Sequence, residues 1–363
     1  MVTGKATLVV DLGNSETRVR TYYGKNKEGQ SRYRQSILSN RFGIIPEEKL
    51  GNYLGSDYYS EEDSRIFHYN GSYYCNGKVC DTEFATTAVR PTALEKKYES
   101  LVTKLSLQNA FSKGHEDIAL FTNNYPDGIE VEWDVIMLLP PDDIDAGAKP
   151  LSEMVKSISE VDFEMPKLHK AIKVNKVSVI PEGFAALLGV IFESKGVIRK
   201  GYEDLLDGDT KTMVIDIGAG TTDFIVAQGT NIISSLRFTK EVGGNNVHQK
   251  VRRLLKDKGV ALSDSVVRKG CETGVVKSGN RAINITNFIT VAKATVSKQL
   301  VDAIQEYFED NMMSVQEINN ILVVGGGAES SEGVKPIADY MVEFLRKVSP
   351  DVHLIEIPNI EIS

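Results

Sequence analysis

Cysteine is scarce in this sequence. Only three cysteines occur among 363 residues, at Cys75, Cys80 and Cys271. An odd number of cysteines, behind an N-terminus without the apolar segment of a secretion signal, favours reduced thiols in the cytoplasm. A metal site at Cys75 and Cys80 lacks two further ligands nearby in the sequence, so we expect no metal there.

Long apolar runs and an excess of basic residues are also missing. No run of about 18 apolar residues is present, so neither a transmembrane helix nor a membrane partner is expected. The net charge of −8 argues against direct binding of nucleic acid, because such proteins usually carry a basic face. A DNA-bound partner protein remains compatible with this charge. The length leaves room for more than one domain.

The alternation of strand-like and helix-like segments predicts an α/β fold in both halves of the chain. Two Asn-Gly pairs within residues 65–80 predict a three-strand meander. Thr92 and Glu95 form a capping-box pattern, which predicts a helix at about residues 93–112. Further helices are expected at about residues 245–258, 263–275 and 286–311. The predicted domains are residues 1–208, with a small inserted subdomain at about 30–128, and residues 209–363.

The start of each half carries the same pattern. Residues 7–21 read TLVVDLGNSETRVRT, and residues 212–227 read TMVIDIGAGTTDFIVA. Both are an apolar strand, an aspartate, an apolar residue, a glycine, small or polar residues and a second strand. The repeat, about 205 residues apart, implies two related α/β domains that could face each other.

Glycine turns of this kind suit phosphate. Their backbone N–H groups and hydroxyls point outward, and no Cβ blocks a close approach. Asp11 and Asp216 stand at the strand ends, and bare carboxylates repel phosphate, so a bridging Mg²⁺ is expected through water. The alternative is a pair of glycine-bearing hairpins with no ligand. A single copy favours that alternative, whereas two matching copies favour phosphate binding.

A third glycine cluster, Gly325, Gly326 and Gly327, lies between an apolar strand and a helix. Close packing of a strand-to-helix turn explains such a cluster, and so does a nucleotide lying against the backbone. The sequence leaves both explanations open.

Together these residues resemble the ATPase superfamily of actin, Hsp70 and sugar kinases. The resemblance implies two RNase-H-like, actin-like domains with a nucleotide cleft between them, binding ATP and Mg²⁺. Asp11 and Asp216 become the metal-side carboxylates. The residues implied to bind nucleotide in the two phosphate loops and the adenosine motif are Gly13, Asn14, Ser15, Gly218, Ala219, Gly220, Thr221, Thr222, Gly325, Gly326, Gly327 and Ala328.

Several further positions are implied by the resemblance. Arg18 stands where relatives place a phosphate-contacting lysine, and Gly243 and Gly244 resemble a glycine turn near the nucleotide. Glu182 looks like the residue that positions the attacking water; its alternative role is a carboxylate favoured by a helix N-terminus. Lys269 and Glu272 look like adenosine-side residues, and an ordinary solvated helix pair is the alternative.

The compact length, the tyrosine-rich insertion and the acidic character look most like plasmid-segregation actins of the ParM type. The expected function is a Mg²⁺-dependent ATP hydrolase that polymerises with ATP, disassembles on hydrolysis and meets a DNA-bound adaptor protein. The alternative is a non-polymerising, Hsp70-like nucleotide switch that binds a protein partner. The choice between ATP and GTP is left open.

Overall fold

The chain folds into two compact units. A computed structural model describes residues 2–13, 16–25, 29, 31–55, 59–60, 62–92, 95–123, 129–193, 196–279, 281–328, 331–355 and 357. Unit 1 takes in Met1–Leu139 and Asp143–Pro181, and unit 2 takes in Pro140–Asp142 and Glu182–Ile362. The boundary predicted after residue 208 falls inside unit 2, and the domain division stays a prediction.

The first sheet of unit 1 is mixed. The strands of this unit are β1 (Val2–Leu12), β2 (Glu16–Lys25), β3 (Ser31–Ser39), β4 (Gly43–Ile45), β5 (Ser64–Tyr69), β6 (Ser72–Gly77), β7 (Ile129–Leu139), β8 (Glu160–Met165), β9 (Lys167–Ala171) and β10 (Lys173–Pro181). The sheet order is β3-β2-β1-β7-β10. Its first three strands form an antiparallel meander, and β7 and β10 continue it in parallel.

A second, antiparallel sheet of order β4-β6-β5-β8-β9 completes unit 1. The predicted inserted subdomain, at about residues 30–128, contains β3 of the first sheet as well as β4 to β6 of the second, whereas β8 and β9 come from later in the chain. The helices of unit 1 are α1 (Lys78–Glu83), α2 (Leu101–Thr122) and α3 (Ile144–Lys156). The hydrophobic core joins Phe111 of α2 to Trp133 of the first sheet and Phe163 of the second. Burial of α2 on nearly all sides follows from this position.

Two local predictions in unit 1 are wrong. Asn70 and Gly71 form the hairpin turn with φ of 48° and 77°, as a type I′ turn requires. The second pair, Asn76 and Gly77, instead leads into α1, so the meander has no third strand there. The Asn76 side chain is buried, and its Nδ2 donates to the carbonyls of Ser39 at 2.7 Å and Arg41 at 2.8 Å. These long-range hydrogen bonds hold the Asn76 side chain, and residues 76–77 do not form a second hairpin turn.

The helix predicted at about residues 93–112 begins later. The Ser100 hydroxyl accepts a hydrogen bond from the Val102 N–H at 3.1 Å and caps α2. Thr92 and Glu95 belong to a loop, where the Glu95 N–H donates to the Thr92 carbonyl at 3.2 Å. A genuine N-cap eight residues downstream explains the error.

Unit 2 repeats the first sheet of unit 1. Its strands are β11 (Lys211–Ile217), β12 (Thr222–Gln228), β13 (Asn231–Lys240), β14 (Val275–Ser278), β15 (Arg281–Asn284), β16 (Asn320–Val324) and β17 (His353–Leu354). The main sheet has the order β13-β12-β11-β16-β17 and the same pattern of antiparallel and parallel pairs. β14 and β15 form a separate hairpin.

The repeat extends to the register of the two hairpins. In unit 1, Asp11 lies opposite Arg18 and Leu12 opposite Thr17. In unit 2, Asp216 lies opposite Asp223 and Ile217 opposite Thr222. The predicted repeat is therefore a repeat of structure. In each hairpin the aspartate lies one residue before the last paired residue of the first strand, and four residues form the turn.

Helices cover both faces of the main sheet of unit 2. They are α4 (Phe184–Ile191), α5 (Gly244–Asp257), α6 (Asp264–Thr273), α7 (Thr286–Asp310) and α8 (Ile337–Leu345). The helices predicted at about residues 245–258, 263–275 and 286–311 coincide with α5, α6 and α7, apart from their exact ends. α4 packs on one face, and α5 to α8 pack on the other. Among the described residues, every helix is too short or too polar to cross a membrane.

An aromatic stack fixes α7 against β13. The rings of Phe224 and Phe238 stack at 4.4 Å, and those of Phe238 and Tyr307 at 4.0 Å. The Tyr307 hydroxyl also donates to the Arg237 carbonyl at 2.8 Å. Stacking and burial, rather than the hydroxyl alone, anchor this helix.

Replacement of Tyr307 separates the two contributions. We expect Tyr307→Phe to lower the free energy of unfolding by about 1 kcal/mol, because one hydrogen bond is lost. Tyr307→Ala also loses the ring contact and is expected to cost about 3 kcal/mol. Urea denaturation followed by circular dichroism measures both. Equal losses in the two variants would show that the stack contributes nothing.

Candidate functional site

The glycine turn of unit 2 is closed by backbone hydrogen bonds. It links β11 to β12, and the Gly218 N–H donates to the Thr221 carbonyl at 2.9 Å. Thr222 is buried, and its hydroxyl donates to the Val242 carbonyl at 2.6 Å. Both ends of the turn are therefore fixed from within unit 2.

The N-terminus of α5 holds the middle of the turn. The Gly244 N–H donates to the Gly218 carbonyl at 3.0 Å, and the Asn245 N–H donates to the Ala219 carbonyl at 2.8 Å. In a planar trans peptide the following N–H points opposite to the carbonyl. The N–H groups of Ala219 and Gly220 therefore point away from α5, and both residues are exposed. Two adjacent outward donors of this kind are able to bind an anion.

Gly243, Gly325 and Gly327 allow backbones to pack closely on this turn. A Cβ at Gly243 would lie 2.6 Å from the Gly218 carbonyl oxygen, and one at Gly327 would lie 2.7 Å from the Ile217 oxygen. Gly325 has a φ of +94°, and a Cβ there would collide with Asp216 Oδ1. Packing is thus a sufficient reason for these three glycines. Gly325 and Gly326 are nevertheless exposed, and their binding role stays a prediction.

Gly220 differs from its neighbours. A Cβ at this position would meet no atom within 4 Å, and the backbone is outside the left-handed region. The backbone conformation at Gly220 therefore does not itself require glycine. The open space leaves its N–H accessible, which is what a ligand-facing glycine needs.

Glu182 is placed near the start of the second turn by the packing of the next residue, Gly183. Gly183, with a φ of +82°, is the N-cap of α4, and a Cβ there would lie 3.8 Å from the Asp216 Cβ. Glu182 and Asp216 are half-buried. Glu182 therefore directly precedes a residue that packs near Asp216, at the end of β11. It also stands at the N-terminal end of a helix, as the sequence indicates.

The first turn, in unit 1, is described only in part. Asn14 and Ser15 lie outside the described residues. Asp11 is half-buried and lies opposite the exposed Arg18. The Gly13 carbonyl accepts a hydrogen bond from Asn40 Nδ2 at 2.5 Å. A Cβ at Gly13 would lie 2.8 Å from the Glu16 carbonyl oxygen, so the chain is tight here as it is at Gly218.

Lys269 and Glu272 are exposed on α6, and among the described contacts none joins either side chain to the turn. The neighbouring Arg268 donates to Asn245 Oδ1 at 3.1 Å and ties α6 to the start of α5. On α5, burial and then the positive charge of Arg268 lower the pKa of His248. A neutral imidazole near pH 7 follows.

Sequence reasoning missed Asn40 and His248. The His248 Nδ1 is buried, and the part of the chain that the structure describes gives it no hydrogen-bond partner. A single histidine in a helix or a single asparagine after a strand carries no motif. Only the structure brings Asn40 to Gly13, and His248 to α6.

The donor set fits a nucleotide phosphate and a Mg²⁺ ion held in part by that phosphate. Ala219 and Gly220 offer N–H groups, and Asp216 offers a carboxylate beside Gly325. Among the described residues, no three His, Cys, Asp or Glu side chains come together around one ion. Mg²⁺ commonly binds through one or two carboxylates with waters and substrate phosphates, and within unit 2 Asp216 offers one such carboxylate.

Comparison with known proteins identifies the fold. The family model for the C-terminal part of MreB-like archaeal actin homologues matches residues 214–332. That stretch holds the second turn, α5, α6 and the third glycine cluster. No curated protein sequence matches the chain.

Solved structures match over nearly the whole chain. Ta0583, an archaeal actin homologue, has a TM-score of 0.68 at 13% identity, with 97% of this chain and 94% of Ta0583 covered. The actin-like protein Alp7A has a TM-score of 0.67 at 13% identity, with coverage of 98% and 92%. The ParM of a Clostridium botulinum filament has a TM-score of 0.59 at 17% identity, with coverage of 98% and 95%. The chain therefore has the α/β fold of two-domain actin-like ATPases, and the resemblance inferred from its motifs is confirmed.

Alanine substitutions separate the packed glycines from the open one. Gly327→Ala is expected to lower the free energy of unfolding by about 1–3 kcal/mol, because the added Cβ overpacks the Ile217 and Gly218 carbonyls. Gly220→Ala is the matched control, and its stability should stay within about 0.5 kcal/mol of wild type. Denaturant unfolding measures both. A Gly220→Ala loss as large as that of Gly327→Ala would contradict the geometry.

Proposed function

We propose that the protein is an actin-like ATP hydrolase that assembles into filaments with ATP and disassembles after hydrolysis. The observation that carries this proposal is the turn at residues 218–221, which is held by α5 and presents two outward N–H groups. The actin-like fold supplies the class of protein in which such a turn holds nucleotide phosphates.

The structural relatives support nucleotide binding and assembly. Ta0583 has been solved in complex with ADP, and the ParM of Bacillus thuringiensis with ATP. The Clostridium botulinum ParM has been solved as a 15-stranded filament. At 13–17% identity these facts belong to the relatives, and their transfer to this chain is our proposal.

The proposed roles follow from the donors available. Ala219, Gly220 and Thr221 bind phosphate oxygens, together with the first turn at residues 13–15 and the charge of Arg18. Thr222 supports the turn rather than the nucleotide, because its hydroxyl donates a hydrogen bond to the Val242 carbonyl. Gly243, Gly244 and residues 325–328 bring the backbone close to the nucleotide, and Lys269 and Glu272 line its adenosine side.

Hydrolysis needs a positioned water and neutralised phosphate charge. We assign the positioning of the water to Glu182 and the binding of Mg²⁺ to Asp11 and Asp216. The ion supplies charge neutralisation when bound. The Asp216 carboxylate lies against the Gly325 backbone, where a Cβ would collide with it.

The biological role is proposed from the ParM-like relatives. We propose that the filaments segregate plasmid or other DNA through a DNA-bound adaptor protein, and that they form in the cytoplasm. The three cysteines are free and buried, which suits a reducing compartment. Light scattering after ATP addition tests assembly. Hydrolysis without any assembly would replace the filament by a nucleotide switch that binds a protein partner.

Removal of the Glu182 carboxylate separates binding from chemistry. We expect Glu182→Gln to keep ATP affinity and to lose about 10²–10⁴-fold in hydrolysis, because it orients water rather than nucleotide. Its filaments should form and persist, whereas wild-type filaments should decline as ATP is consumed. Pelleting over time beside phosphate release measures both. Normal hydrolysis by the variant would return Glu182 to a role at the N-terminus of α4.

Neutralisation of Asp216 tests the metal assignment. Addition of Mg²⁺ should raise the ATP affinity of wild type, because the ion offsets repulsion between carboxylate and phosphate. In Asp216→Asn this rise should shrink, and hydrolysis should fall while thermal stability is retained. Titration of a fluorescent ATP analogue with and without Mg²⁺ is the measurement. The same Mg²⁺ dependence in both proteins would exclude Asp216 as a metal-side group.

A further inference from the structure

The two glycine turns are held by the same pair of hydrogen bonds, but from different chemical groups. In unit 2, the Thr222 hydroxyl donates to the Val242 carbonyl at 2.6 Å, and the Gly218 carbonyl accepts from the Gly244 N–H at 3.0 Å. Both partners are backbone groups that follow β13 and lead into α5.

In unit 1 one side chain makes both bonds. The Thr17 hydroxyl donates to Asn40 Oδ1 at 2.5 Å, and Asn40 Nδ2 donates to the Gly13 carbonyl at 2.5 Å. Thr17 and Gly13 occupy the hairpin positions that Thr222 and Gly218 occupy in unit 2. Asn40 follows β3 directly, as residues 242–244 follow β13. A primary amide carries the carbonyl and the N–H of a peptide group, so Asn40 is able to replace both backbone partners.

We propose that Asn40 is a positioning residue for the nucleotide phosphates, because it holds the first phosphate turn in the way that Val242 and Gly244 hold the second. This inference rests on the proposed nucleotide-binding function. Asn40 does not itself touch nucleotide. It fixes the direction of the Gly13 carbonyl at the start of the first turn.

The surroundings of Asn40 make it a rigid support. The side chain is buried, and its Oδ1 accepts a second hydrogen bond from the Ser106 hydroxyl of α2 at 2.9 Å. The carbonyls of the residues on either side, Ser39 and Arg41, both accept from Asn76 Nδ2. Asn40 is therefore anchored through its side chain and through the carbonyls of both neighbouring residues, and an anchored amide is able to impose a geometry on the turn.

Unit 1 has a structural reason to use a side chain here. After β13 the chain of unit 2 enters α5, whose first N–H groups are free of intrahelical partners and reach the turn. After β3 the chain of unit 1 continues to β4 in the second sheet, and among the described residues no helix starts between them. The hydrogen bonds that α5 supplies in unit 2 must then come from elsewhere, and Asn40 supplies them.

The test uses two substitutions at Asn40 and one control. Asn40→Ala removes both bonds, and a cavity of about 30 Å³ beside Gly13 and Asn40 has room for water to solvate the exposed groups. Asn40→Asp keeps an acceptor for Thr17 and Ser106 but loses the donor to Gly13. Ser106→Ala removes a neighbouring hydrogen bond to the same oxygen and leaves the turn contacts intact.

The measurements are the affinities for a fluorescent ATP analogue and for adenosine, by competition, and the hydrogen exchange of residues 12–20 without nucleotide. Both Asn40 variants are expected to bind the ATP analogue at least about tenfold more weakly, as loss of one or two positioned hydrogen bonds implies. Adenosine affinity should change less than about twofold, since the first turn faces phosphate. Exchange near the first turn should speed up. Ser106→Ala should lose clearly less than either Asn40 variant in all three measurements, because the bonds from Asn40 to Thr17 and Gly13 remain.

The outcomes distinguish the two proposals. If wild type binds nucleotide and both Asn40 variants bind it equally well, the inference about Asn40 is overturned while the proposed function stands. Equal losses for ATP and adenosine, or a Ser106→Ala loss as large as that of Asn40→Ala, would show a general structural role and would also overturn it. Failure of wild type to bind nucleotide would overturn the proposed function and the inference together.

Discussion

A hydrogen bond accepted by one glycine carbonyl in each hairpin governs the candidate site. In unit 2 this is the Gly218 carbonyl, which accepts from the Gly244 N–H. Once that carbonyl points toward α5, peptide planarity sends the next N–H the other way. The bond also requires α5 to begin within reach of the turn, and Gly243 and Gly327 permit this because a Cβ at either position would meet the backbone of the turn. The start of α5 and the placement of these glycines both follow from this one requirement.

In each unit, the hydrogen bond to the glycine carbonyl comes from the residues that follow the third strand of the meander. Unit 2 has a helix N-terminus there, and its free N–H groups close the turn. Unit 1 has an excursion to a second sheet, and the Asn40 amide closes the turn instead. The repeat seen in the sequence therefore covers the hairpins and not their supports. A support made by a side chain is open to substitution, whereas one made by backbone is not.

The extent to which the sequence predicts this molecule depends on how local each interaction is. The Asp-x-Gly hairpins and helices α5 to α7 were predictable because their signals lie within a few residues. Asn76 was misread as a turn residue because its partners are the carbonyls of Ser39 and Arg41, more than 30 residues away. Asn40 was missed for the same reason, since Gly13 and Ser106 lie far from it in sequence. The sequence identified the important glycines, but it does not distinguish Gly327, which allows close packing, from Gly220, which faces open space.

This division among the glycines has a consequence for energetics. The packed glycines allow the backbone to close around the turn, and the open glycine, Gly220, leaves its N–H exposed. Folding therefore bears the entropic cost of ordering residues 218–221, and a bound anion does not have to bear it again. Donors fixed in advance also discriminate by direction, because a phosphate oxygen must lie where both N–H groups point. We therefore propose that this turn, which is ordered by its own unit, binds an anion by complementarity rather than by folding around it.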